Sequence, residues 1–329
     1  MKPHLLIFTN RLVVGGISND IIPLAWYLKN NFEILILCGE KEKGEIEVDF
    51  LLQQYPGLNV KKIKAFQKTI NPLKDLTAYW QIRKAIRSFG ADIMHTHGAK
   101  SGFLGKLAAY HEGVHCIVHT FHGHHFHSYY NSILSKAIIS LHRRMAKLST
   151  VVLAISKQQW NDLVIKYKIT SADKTKIIRL GLDVNQFEAN AVNINTLRQR
   201  YNLNDTIAIG LVARITKIKN FDLFVEVISK TIQLVNRPVK FFVIGDGTLK
   251  KNIQIKLSQY NISWCNAHDY KENSIVVFTS WVQRIADIMH ALDIVMLTSN
   301  NEGSGLSLVE AQFCGKPVVQ LMLEVSGIL

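Results

Sequence analysis

Cysteine is scarce in this 329-residue chain, and its four positions, Cys38, Cys116, Cys265 and Cys314, form neither a CxxC pair nor an even spacing. That pattern excludes a disulfide framework and marks the thiols as reduced groups in or near the core. Long apolar runs are missing too. A bilayer span needs roughly 20 apolar residues, whereas residues 33–38 have only the length of a buried strand and 5–8 are too short for a secretory leader. A cytoplasmic location is the expectation. Acidic residues are outnumbered, 25 against 39 basic, for a formal net charge of +14. Residues 1–150 carry most of the excess, with 19 Lys and Arg against 10 Asp and Glu. Basic clusters at Lys61, Lys62 and Lys64, and at Arg143, Arg144 and Lys147, fit nucleic acid, an anionic membrane or anionic ligands. No nucleic-acid motif accompanies them and no aromatics interleave, so nucleic acid drops out. Peripheral contact with the inner face of an anionic membrane, phosphate ligands, or a plain solvated surface are left.

What is present is alternation. Short apolar runs exchange with amphipathic stretches along the whole length, the pattern of βαβ units and parallel sheets. Strands are predicted at 4–9, 33–38, 92–95, 116–121, 150–155 and 176–179, then at 207–212, 240–244, 275–278, 294–297 and 317–319. Helices are predicted at 221–234, 249–259, 283–290 and 306–314, and at 74–88, where Leu76, Tyr79, Trp80, Ile82 and Ile86 suggest a broad apolar face. Residues 185–204 are polar and Asn-rich and look like a linker. Two doubly wound α/β domains follow, 1–187 and 188–329, and in such folds ligands sit beyond the carboxyl ends of the strands.

Those post-strand loops hold the candidate chemistry. Gly15 and Gly16 open a helix after the first strand, where close backbone approach and the helix N-terminus suit a phosphate. The loop is not GxGxxG, and the second strand ends Cys38-Gly39-Glu40 without a ribose-binding acid at the strand end, which argues against a nicotinamide dehydrogenase. Histidines crowd two other strand ends: His95 and His97, then His119, His122, His124, His125 and His127. No carboxylate or cysteine lies nearby in sequence to complete a metal shell and neither segment reads HExxH, so no metal site is expected. His97, Gly98, His122 and Gly123 are the better candidates for a polar ligand, with His95 and His119 as core histidines. Arg214 and Lys219 share one loop after the strand 207–212 and can reach one diphosphate. Gly245 turns the chain after 240–244. After 294–297 come Glu302, Gly303, Ser304, Gly305, Leu306 and Ser307, a helix start, and Glu310 one turn inside it. Carboxylates accept from hydroxyls and a helix N-terminus suits a phosphate. Phosphate plus polyol is what a nucleotide sugar presents.

In this order the motifs resemble the GT-B glycosyltransferases of family 4, retaining enzymes that use nucleotide-sugar donors, with two Rossmann-like domains facing a cleft. The most specific element is Glu302 and Glu310, an E-x7-E pair within EGSGLSLVEAQFCGKPVV. The segments HTHGAKSGFLGKLAA and VHTFHGHHFHSYY look like members that handle UDP-sugars. The resemblance implies an acceptor-side first domain and a donor-binding second one. It implies that Arg214 and Lys219 neutralise the departing diphosphate, Glu310 holds the ribose and Glu302 the transferred sugar. Amides of Gly303 to Ser307 would meet sugar and phosphate, Gly16 would let its loop close, and His122 would contact the sugar or the developing charge. No DxD motif is present, in keeping with a family that uses no metal. A glycan or lipid-linked acceptor in cell-envelope polysaccharide synthesis is implied. An epimerase or sugar-phosphate synthase of the same fold, and a nucleotide-sugar-binding remnant without turnover, are the alternatives.

Two positions depart from the family. Gly305 stands where proline is common, implying a looser donor loop. Residues 320–329 replace a stretch close to Ala-Thr-Asn-Val-Gly-Gly. One codon choice, CAA CTA ATG TTG GAG GTA TCC, read one base earlier after a G gives Ala-Thr-Asn-Val-Gly-Gly-Ile. The expectation is a one-base deletion near Val319 that shifts the frame and leaves the second domain incomplete.

Overall fold

The computed structural model describes residues 2–321 apart from 68, 124–131, 301, 303 and 304, and for 132–134 the backbone alone. Gly303, Ser304 and the segment 322–329, where most of the expected frame shift would fall, therefore lie outside the described residues. The chain divides into two compact units, Met1–Gly181 and Leu182–Leu329.

The first unit is built on strands β1 (His4–Arg11), β2 (Glu33–Gly39), β3 (Asn59–Ile63), β4 (Ile93–His97), β5 (Cys116–Phe121), β6 (Val151–Ala154) and β7 (Thr175–Ile177), in the order β3-β2-β1-β4-β5-β6-β7. Every pairing is parallel. The alternation of side chains along a strand divides the core in two. Leu6, Phe8, Leu35, Leu37 and Met94 face Ala78, Ile82 and Ile86 on one side. Leu5, Ile7, Ile34 and Ile36 face Ile21, Ile22 and Ala25 on the other. Both faces are covered, so β1 and β2 read as nearly unbroken apolar runs.

The edge strand β3 escapes sequence reading because its text, NVKKI, is dominated by the Lys61-Lys62 cluster. Charge on an edge strand blocks unwanted pairing. The helix Pro72–Phe89 begins with Asn71, whose side chain accepts from the amide of Lys74 at 3.1 Å, and ends at left-handed Gly90. Its broad apolar face is corrected: Ala78, Ile82, Ala85 and Ile86 are buried, while Leu76 and Trp80 point the other way into solvent.

The second unit carries β8 (Ile207–Val212), β9 (Val239–Ile244), β10 (Trp264–Asn266), β11 (Val276–Ser280), β12 (Ile294–Leu297) and β13 (Val318–Gln320), again all parallel, in the order β10-β11-β9-β8-β12-β13. Short β10 was not predicted. The supposed linker holds a helix, Ala191–Arg200, whose asparagines are structural. Asn190 caps it by accepting from the amide of Asn193 at 3.1 Å, and Asn193 donates to Asp287 at 2.9 Å. The division of the chain falls before Leu182, not at 187/188. Leu182 and Phe187 pack into the second core, and the His290 ring meets the Phe187 carbonyl at 2.9 Å.

Candidate functional site

In both sheets the chain winds outward from one strand and then returns to its other side. The reversal lies between β1 and β4 in the first unit and between β8 and β12 in the second. Beyond the carboxyl ends of those strand pairs is where doubly wound sheets bind ligands.

In the first unit the loop after β1 carries Gly15 and Gly16, with Gly15 as N-cap of the helix Gly16–Leu28. Ser18 fixes this entry by donating to the Val13 carbonyl at 2.7 Å. The side-chain oxygen of Asn10 accepts from the amide of Ser101 at 2.9 Å, tying the end of β1 to the helix Ala99–His111 that follows β4. His97 ends β4 and His122 follows β5. Their nitrogens Nδ1 and Nε2 lie 2.8 Å apart and the rings stack at 5.1 Å. His95 bonds Thr120 and His119 bonds Thr96, each at 2.8 Å, so both are satisfied core histidines.

Sequence spacing did not reveal the third member. Asp20, one helical turn beyond Gly16, brings a carboxylate oxygen 4.0 Å from Nε2 of His122. A helix that starts at a site turns the residue four positions beyond its first toward it, and that is the signal that could have found Asp20. Asp20, His97 and His122 each offer an atom within 4.8 Å of the others, a spacing able to hold a metal ion. Burial pushes Asp20 up to about 6 and His122 down to about 4. Burial, reinforced by neighbouring imidazoles, also takes His97 well below its usual value. At neutral pH the contact is therefore carboxylate to neutral imidazole, not an ion pair. The nearby negative charge favours the tautomer in which Nε2 of His122 carries the proton and donates to His97.

In the second unit the loops after β8 and β12 are joined across the reversal. Lys219, in the single turn Lys217–Lys219, makes a short ion pair with Glu302. Thr298 donates to the Lys219 carbonyl at 2.9 Å, the amide of Asn300 donates to the Ile218 carbonyl at 2.8 Å, and Asn220 donates to Asn300 at 2.9 Å. Arg214 lies on the same loop with its guanidinium 6.0 Å from the Trp281 ring centre. Gly245 has φ 134°, and a Cβ there would lie 2.2 Å from the Ala213 carbonyl oxygen. That approach lets the amides of Ala213 and Ile215 bond the Ile244 and Asp246 carbonyls, so the β9 turn fixes the course of the Arg214 loop. Lys250, not singled out in the sequence, adds a cation beside Ser280 and Asp246, at 3.1 and 3.6 Å.

The helix Leu306–Phe313 starts at left-handed Gly305, φ 53°, and presents its first amides, those of Leu306 and Ser307, at the loop. Proline is locked near φ −65° and cannot occupy that position. The glycine therefore defines the entry to this helix. Glu310 is almost fully buried, and desolvation pushes its carboxyl up to about 7.

The family model described as Glycosyltransferase Family 4 matches residues 14–186, and that described as Glycosyl transferases group 1 matches 206–327. A UDP-Gal:alpha-D-GlcNAc-diphosphoundecaprenol alpha-1,3-galactosyltransferase of Escherichia coli is 28% identical over 88% of this chain and 71% of its own. An O-antigen biosynthesis glycosyltransferase of the same organism, WclY, is 27% identical over 69% of this chain, which spans only 60% of that relative. Among solved structures, Anabaena HepE in complex with UDP and glucose superposes with a TM-score of 0.76 at 19% identity, covering 96% of this chain and 80% of its own. Sucrose-phosphate synthase of Thermosynechococcus elongatus gives 0.74 at 15% identity, over 96% and 81%. The two parallel-sheet units share the fold of these proteins.

Proposed function

We propose, from the premise that the chain belongs to glycosyltransferase family 4, that it transfers a sugar from a UDP donor to a glycan or lipid-linked acceptor with retention at the anomeric carbon, in cell-envelope polysaccharide synthesis. The observation that carries this reading is the Lys219–Glu302 pair spanning the reversal of the second sheet, with Arg214 on the same loop as Lys219 and the helix that bears Glu310 following Glu302 in the chain. One cation and one carboxylate on two tied loops are the minimum needed to grip a diphosphate and the polyol next to it.

Without donor the two side chains neutralise each other. When a nucleotide sugar arrives, the Lys219 ammonium turns to the diphosphate and releases Glu302 to accept from sugar hydroxyls. Lys219 and Arg214 then stabilise the negative charge that grows on the leaving diphosphate, the largest single catalytic contribution in such reactions. With Arg214 and Lys219 on one loop and no DxD motif, turnover proceeds without a divalent metal and withstands chelation. Glu310, desolvated by burial, gains hydroxyl donors from the ribose. In the first unit, Asp20 and His97 hold His122 in one tautomer so that its other nitrogen accepts from the donor sugar or acceptor. Same-face attack by the acceptor hydroxyl, with no protein nucleophile, retains the configuration.

Assaying UDP- and GDP-sugars with undecaprenyl-diphosphate-linked and free glycan acceptors tests this. UDP release in chelator with at least one UDP-sugar is expected, and its disappearance in Glu302→Ala. Absence of turnover with every donor overturns the reading.

A further inference from the structure

The helix Pro72–Phe89 turns an apolar row to solvent. Opposite its buried side, Leu73, Leu76 and Trp80 are 80%, 56% and 54% exposed. They follow the i, i+3, i+7 spacing of one helical stripe, and Ile70, 87% exposed on the segment leading in, extends it. Scattered exposed apolar side chains are ordinary on a soluble protein; three in one helical stripe, with a fourth just ahead of the helix, mark a surface that something covers.

The surroundings identify the cover by charge. Lys64 and Lys74 line a shallow groove together with Leu73 and Thr77. Arg83 lies 4.8 Å over the Trp80 ring, and exposed Lys84 continues the stripe one turn further. Lys61 is exposed on the neighbouring edge strand β3. The local carboxylates are already taken: Asp75 pairs with Lys100, and Glu112 with Arg83 and Arg87. An apolar row set among cations matches the boundary between anionic headgroups and acyl chains, where tryptophan concentrates. A second copy of the chain would bring the same cations face to face and be repelled.

We propose that this helix is the docking face on an anionic membrane. Leu73, Leu76 and Trp80 enter the headgroup boundary while Lys61, Lys64, Lys74 and Lys84 meet lipid phosphates. The inference deepens the lipid-linked acceptor reading, because it brings the enzyme to the surface where such an acceptor resides, but its test needs no acceptor.

The full chain is sedimented with phosphatidylcholine vesicles, with and without phosphatidylglycerol. Binding only to the anionic vesicles is expected, weakening as salt is raised. Each lysine near such a surface is worth about fivefold in partitioning, so Lys61→Glu/Lys64→Glu/Lys84→Glu should lose roughly a hundredfold or more. Leu73→Ser/Trp80→Ala should also lose binding, and because all five sites are solvent-exposed both variants should melt like wild type. The proposal is overturned if wild type ignores anionic vesicles or if the variants bind as well as it does. It is also overturned if sedimentation velocity shows a wild-type dimer that these substitutions dissociate. Donor hydrolysis in vesicle-free buffer separates the two readings. Hydrolysis without vesicle binding sinks docking alone, whereas vesicle binding without hydrolysis or transfer sinks the transferase reading alone.

Discussion

Glu310 and Glu302 sit eight positions apart in different surroundings: Glu310 is buried, whereas Glu302 pairs with Lys219. Glu310 titrates near 4.5 unfolded and about 7 folded, so the folded state holds the proton longer. Stability therefore falls as pH rises through that window, by about 3 kcal/mol at most. Glu310→Gln should remove the decline, so that its unfolding free energy gains on wild type between pH 5 and about 7; parallel denaturant curves would contradict this. Ribose hydroxyls donating to the carboxylate lower its pKa, so UDP binding near neutral pH should release protons in wild type and not in Glu310→Gln. Calorimetry in buffers of different ionisation enthalpy reads that difference. The buried histidines act in the opposite sense. His122 folds with a pKa of about 4 and His95, desolvated beside His122, with about 3, against 6.5 unfolded. The unfolded chain binds more protons in between, so stability is full above 6.5 and is lost as pH falls toward 4. His122→Gln should make that acid limb shallower, leaving the share of the other buried histidines. Glu302→Ala should abolish turnover yet leave UDP affinity equal or tighter, since UDP lacks the sugar and Lys219 is freed.

At the scale of elements, the loops after β8, β9 and β12 form one construction, and its glycines set the geometry. Gly245→Ala puts a Cβ against the Ala213 carbonyl at a left-handed φ, which should cost about 1–3 kcal/mol in backbone strain. The damage should spread to UDP binding because Arg214 is next in the chain; urea denaturation and UDP titration on one sample check both. Gly305→Pro, the residue the family favours, should destabilise this chain, because the helix Leu306–Phe313 begins from a left-handed cap. Much of this was legible in the sequence. Strands 207–212 and 294–297 and the helix 221–234 were readable as printed, because continuous apolar text and clear periodicity identify buried elements. Charge hid β3, and asparagine hid the helix Ala191–Arg200, since a residue that caps a helix looks like loop in a one-dimensional reading. The apolar face at 74–88 was overdrawn because apolar residues surround the helix and periodicity cannot say which of them pack. Asp20 was missed because proximity across βαβ units does not appear as proximity in sequence.

At the scale of the molecule, two parallel sheets each bring their candidate residues toward the point where strand order reverses. The first contributes Asp20, His97 and His122, and the second Arg214, Lys219, Glu302 and Glu310. Fold and family are set by the two sheets and the matched family model, while the roles of these residues rest on charge and burial. The most direct test of those roles is calorimetric titration of UDP into wild type, Arg214→Ala and Lys219→Ala. Wild type should bind UDP without added metal, and each substitution should weaken binding at least about tenfold by removing a charge-assisted hydrogen bond to the diphosphate. A wild-type chain that fails to bind UDP, or variants that both bind it unchanged, would contradict the account.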